Sequence, residues 1–85
     1  MSQYEKLLQS IMSGKQDQGI KFDDLVKLLQ NSGFTLERIS GSHHIFSYPD
    51  VMELIDLQPD KKDHSKAKSY QVRQVRRFFK IYLEV

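Results

Sequence analysis

The chain has no cysteine and no tryptophan, and only four glycines and two prolines among its 85 residues. Without cysteine there are no disulfides and no thiolate metal site, so a single apolar core has to hold the domain together. Lack of cysteine also fits a reducing compartment. Long hydrophobic runs are missing too. The opening MSQYEKLLQSIMSGK places Glu5 and Lys6 where a signal peptide needs unbroken apolar sequence. No stretch approaches the roughly 20 apolar residues of a membrane span. These absences predict a soluble, cytoplasmic protein with no membrane partner. Apolar residues make up 39% of the chain, enough for one modest core, so residues 1–85 are read as one domain.

What is present is unevenly distributed. The formal net charge is only +2. Residues 61–85, however, hold eight Lys/Arg against two Asp/Glu, while residues 1–60 hold five against nine. A cationic end on a nearly neutral chain points toward polyanions, although a solvated basic surface has the same composition.

Tyr4, Leu7, Leu8, Ile11 and Met12 recur at helical spacing between a capping Ser2 and a terminating Gly14. The polar stretch 13–19 predicts a loop. A second helix follows, with Phe22, Leu25, Val26 and Leu29 on one face, Asp23 and Asp24 in its first turn and Gly33 at its end. From Phe34 to Ile39 the pattern turns β-prone, with Arg38 interrupting the alternation. Ser40-Gly41-Ser42 predicts a turn, His43 to Tyr48 a second strand, Pro49-Asp50 another turn and Met52 to Leu57 a third strand. Connections this short require an antiparallel meander. Residues 58–67 predict a flexible polar loop. A final helix is expected from Ser69 as N-cap, burying Val72, Val75, Phe79, Tyr82 and Leu83. The fold class is therefore α+β in the order α-α-β-β-β-α, two-layered, with a three-stranded antiparallel sheet and helices on one face.

Three groups of residues could carry chemistry. The first is the Gly41-Ser42-His43-His44 turn. Imidazole exchanges protons near neutrality, and backbone N–H groups and a hydroxyl at the turn can meet a phosphate. Successive strand residues face opposite ways, so only one histidine can belong to a given site, and alternation alone does not choose between them. The second is the basic series Arg73, Arg76, Arg77 and Lys80 on the last helix, with Lys66 and Lys68 upstream, spaced to meet successive phosphates. The third, Asp60, Asp63 and His64, matches no established metal-ligand spacing, and no metal or other cofactor is expected.

Asn31-Ser32-Gly33-Phe34, then Gly41-Ser42-His43-His44-Ile45-Phe46, then Pro49-Asp50 resembles the signature of the HicA toxins. Lys66 to Val75 is similar to the start of that family's last helix. The resemblance covers about residues 22–80, leaving residues 1–21 as an N-terminal extension to a HicA-like core of residues 22–85. It implies a fold like that of the double-stranded-RNA-binding domain and metal-independent cleavage of messenger RNA. It implies that the motif's catalytic histidine falls on His43, with His44 kept as an auxiliary or alternative candidate and Gly41, Ser42 and His44 beside it at the RNA. A HicB-like antitoxin protein is the implied partner. The residues by themselves also allow a non-catalytic RNA-binding module or a protein-interaction domain.

Overall fold

The computed structural model describes residues 2–85. Helix α1 spans Gln3–Ser13 and α2 spans Phe22–Asn31. Strands β1 (Thr35–Ser40), β2 (His43–Tyr48) and β3 (Val51–Leu57) follow, then α3 (Ser69–Phe78) and a π-turn over Phe79–Leu83. The sheet is antiparallel in the order β1-β2-β3. The helices share one core with its inner face, so the two-layer α+β architecture is as the sequence predicts.

Both ends of α1 follow the expected chemistry. Ser2 Oγ accepts the backbone N–H of Glu5 at 3.1 Å, and Gly14 takes the left-handed conformation (φ 73°) that closes the helix. Ile11 is completely buried, with Tyr4, Leu7, Leu8 and Met12 around it. In α2 the buried residues are Phe22, Leu25, Leu28 and Leu29, with Val26 partly buried against the same core. Leu28 and Leu7 line the same cleft between α2 and α1, so cover from α1 extends the buried stripe to that side.

The interrupted alternation at Arg38 is a β-bulge. The register of β1 on β2 shifts between Leu36 and Arg38, leaving Glu37 as the extra residue. The bulge brings Leu36 (opposite Phe46) and Ile39 (opposite His44) to the same face, although three positions separate them. Phe46, with Ile55 opposite it and Leu57 two residues along, is buried under the helices. Ile45, Asp56 and Arg38 pair across the sheet and lie on the open face.

The last helix departs from its expected ends. Lys68 occupies the N-cap position and Ser69 is the first helical residue, with no side-chain cap. At the other end Phe78 and Phe79 are both buried, while Tyr82 is 40% exposed. Phe78 and Phe79 continue the buried series begun by Val72 and Val75, at i+6 and i+7 from Val72, and the helix widens into the π-turn from Phe79 on. They pack on Phe34, with ring centroids at 5.1 Å for Phe78 and 5.8 Å for Phe79, and Tyr48 completes the aromatic cluster.

Arg76 ties the N-terminal extension to this core. Its guanidinium forms a bidentate pair with Asp17 (2.9 and 3.1 Å) and donates to the carbonyl of Ile11 in the last turn of α1 (3.0 Å). The side chains of the pair are only 17% and 14% exposed, and Asp17 raises the guanidinium's pKa further above its ordinary value. Gly14 leaves room for it, since a Cβ there would lie 3.2 Å from Arg76 Nη1. No helix among the described residues is long and apolar enough to cross a membrane.

A partly buried bidentate pair that loses one partner leaves the other charge uncompensated. Arg76→Ala and Asp17→Ala should each lower unfolding free energy by about 2–4 kcal/mol in urea titrations. The double variant should cost clearly less than the sum of the two. Additive losses would mean that the two side chains act separately.

Candidate active site

Gly41 and Ser42 form a two-residue hairpin between β1 and β2, with Gly41 at φ 61°. Nothing lies within 4 Å of where its Cβ would be, so backbone conformation, not space, calls for glycine here. The turn delivers the two histidines to opposite faces of β2.

His44 turns toward the helices. It stands edge-on to Phe22, with centroids 4.9 Å apart, and its Nδ1 lies 3.0 Å from the carbonyl oxygen of Ser42. His43 points to the open face with about half its side chain exposed. Its Nδ1 is 2.7 Å from Asp56 Oδ2, and its Nε2 is 2.6 Å from the side-chain nitrogen of Gln58. That nitrogen is also 3.1 Å from His43 Nδ1 and 3.5 Å from Ser42 Oγ. Lys68 Nζ donates to Gln58 Oε1 at 2.6 Å. A polar chain thus runs from β3 through β2 to the start of α3: Asp56, His43, Gln58, Lys68.

Gln58 is held from below. Its backbone N–H donates at 2.8 Å to Oε1 of Gln71, a buried side chain on the first turn of α3. The segment after it is anchored rather than flexible. Bridges pair Lys21 with Lys66 and Pro59 with Ala67, and Ala67 N–H donates to Ile20 at 2.9 Å. The Asp60 and Asp63 carboxylates close this loop on themselves. Asp60 accepts from the backbone of Lys62 and Asp63, and Asp63 from the hydroxyl and backbone N–H of Ser65. Those Ser65 bonds hold the Asp63 carboxyl below its ordinary value. Among the described residues no three His, Asp or Glu side chains gather as a metal-ligand group.

The cations expected on α3 diverge. Arg76 turns inward to Asp17, while Arg77 crosses to Glu53 on β3 at 3.1 Å. The spacing puts them along one helix face, but these partners draw Arg76 to the loop after α1 and Arg77 to β3, so the series does not make one continuous stripe. Arg73 and Lys80 are exposed, as is Lys66, and Lys68 is linked to His43 through Gln58. Asp56, Gln58 and Gln71 were not singled out from the sequence. Alternation does put Asp56 on one face with Met52 and Leu54, but only the pairing of β3 on β2 brings it to His43.

Residues 22–80 match the family model described as the HicA toxin of bacterial toxin-antitoxin systems. That span is more than half of the chain. The protein belongs to the HicA toxin family. Comparisons with curated proteins and with solved structures found no match. Membership of this toxin family implies an antitoxin partner. In this HicA chain the family region begins at Phe22, so α1 and the loop carrying Asp17 lie outside it.

If Gln71 is what positions Gln58, Gln71→Leu should leave the Gln58 N–H without an acceptor. Stability should fall by about 1–3 kcal/mol, and hydrogen exchange at the Gln58 amide should accelerate well beyond that of its neighbours. Unchanged protection at Gln58 would count against this support.

Proposed function

We propose that this chain is a toxin that cleaves messenger RNA, acting as a metal-independent endoribonuclease with His43 as general base. The observation that carries the reading is the position of His43, on the open face of the sheet, next to Ser42 and linked to Lys68 through Gln58, in a chain of the HicA family. His44, packed edge-on against Phe22, is less able to meet a substrate.

The chemistry asked of these groups is limited. A neutral imidazole takes the proton of a ribose 2′-hydroxyl, and the 2′-oxygen attacks the neighbouring phosphorus. The P–O5′ bond breaks as the new P–O2′ bond forms, leaving a 2′,3′-cyclic phosphate, and an acid protonates the departing 5′-oxygen. The Lys68 ammonium and the Gly41-Ser42 turn are suited to the negative charge that grows on the phosphoryl oxygens. The reading uses only protein side chains and backbone, which is why it needs no metal.

Lys66, Lys68 and Arg73 form the core of the proposed RNA track, with Lys80 and Arg77 farther along. Arg77 is 62% exposed in its pair with Glu53, and an exposed pair of that kind is worth little, so a phosphate can displace Glu53. Arg76 contributes through the fold, because its bidentate, largely buried pair is too costly to give up. The proposed protein partner is a HicB-like antitoxin, and the proposed setting is the cytoplasm, where messenger RNA is available.

Induced expression in bacterial cells tests the catalytic part. The natural chain should arrest growth and fragment messenger RNA, while His43→Ala should do neither and His44→Ala should keep substantial activity. Equal toxicity of the natural chain and His43→Ala would remove His43 from catalysis. Binding without cleavage by the natural chain would favour an RNA-binding module. In the His43→Ala background, Lys66→Gln with Arg73→Gln should flatten the dependence of log affinity on log salt by roughly 0.7 per lost contact for single-stranded RNA. An unchanged slope would take these two residues off the track.

A further inference from the structure

The polar chain at His43 has a direction that its chemistry dictates. An ammonium can only donate, so the atom of Gln58 facing Lys68 at 2.6 Å must be its carbonyl oxygen. The other end of that amide is then NH₂, again only a donor, but it lies 2.6 Å from His43 Nε2 and 3.1 Å from Nδ1, so it does not choose between the two ring nitrogens. Asp56 makes that choice: a carboxylate oxygen accepts, so Nδ1, 2.7 Å from Asp56 Oδ2, must carry the proton. A neutral imidazole with its proton on Nδ1 has its lone pair on Nε2.

We propose that Asp56 is a positioning residue that holds His43 in the Nδ1–H tautomer and aims the basic Nε2 at the substrate side. The proposal rests on the reading of His43 as general base and adds the group that makes that nitrogen the basic one. When Nε2 takes up a proton, the Asp56 carboxylate faces the imidazolium that forms and stabilises it.

Two features point to a role for Asp56 in the site rather than in the fold. Its only side-chain partner among the described residues is His43, and its second oxygen, Oδ1, is shielded and has no hydrogen-bond partner. The Asp56 and His43 side chains are also 46% and 48% exposed, and a pair that open to solvent contributes little to stability. Asp56 lies opposite Ile45 in the β2–β3 register, which brings it to the same face as His43. Gln58 supports the arrangement from the other side and must yield its place at Nε2 to the ribose hydroxyl.

The test compares the full chain with Asp56→Ala and Asp56→Glu, using ¹⁵N-labelled histidine and single-turnover cleavage of an RNA oligonucleotide. The natural chain should show His43 protonated at Nδ1 and unprotonated at Nε2, and Asp56→Ala should lose that preference. The Asp56→Ala cleavage rate at saturating enzyme should fall on the order of 100-fold or more, with half-saturation changed less than about threefold. Asp56→Glu should recover part of the rate, and the thermal midpoints should stay close together. The same His43 tautomer in the natural chain and Asp56→Ala would overturn the proposal. So would a near-normal Asp56→Ala rate while His43→Ala is inactive. RNA left intact by the natural chain would strike at the nuclease reading instead, and the tautomer spectra would still decide the role of Asp56.

Discussion

Phe46 sets the pleat of the central strand, and most of the molecule follows from that setting. It is fully buried beneath the helices, between Leu36 on β1 and Ile55 on β3. Side chains alternate along a strand, so an inward Phe46 obliges His44 to turn inward and His43 to turn outward. A slip of one residue would exchange the two histidines and expose the phenyl ring. Burying a residue of this size is worth roughly 1.5–3 kcal/mol, far more than an exposed His–Asp contact returns. The core therefore decides which imidazole meets solvent, and the polar partners of His43 refine a choice already made.

Helix α3 serves the core, the extension and the site along a single element. Its first turn supplies Gln71, which holds Gln58, and the residue before it supplies Lys68. Its middle supplies Arg76, which closes the loop after α1 by binding Asp17 and the end of that helix. Its end brings Phe78 and Phe79 into the core beside Phe34 and continues as a π-turn. These duties compete for side chains. A cation that pins an N-terminal helix in a largely buried pair is no longer available to a phosphate, which is why Arg76 and Arg77, although adjacent, differ in what they can bind.

Much of the architecture was legible because it rests on local rules. Ser2, Gly14 and Gly33 bounded the first two helices through capping and left-handed backbone, and Gly41-Ser42 and Pro49-Asp50 marked the hairpins. Short connections left an antiparallel meander as the only sheet. Features that local periodicity does not encode were harder to see. The bulge at Glu37 showed only as a broken alternation at Arg38, and the π-turn after Phe78 left no mark on the hydrophobic pattern. The loop after β3 looked flexible because its charge conceals the backbone bridges to residues 20–22 that fix it.

The sequence by itself determined the order of elements, the fold class and the presence of a Gly-Ser-His-His turn ahead of a basic helix. Helix caps, turn glycines and hydrophobic period act over a few residues, so they can be read from the chain. Tertiary structure alone decided that His43 faces Asp56 and Gln58 while His44 packs against Phe22, and that Arg76 belongs to the fold. Those partners lie 13 to 59 residues away along the chain. Strand pairing and helix docking create such contacts, and no local pattern records them.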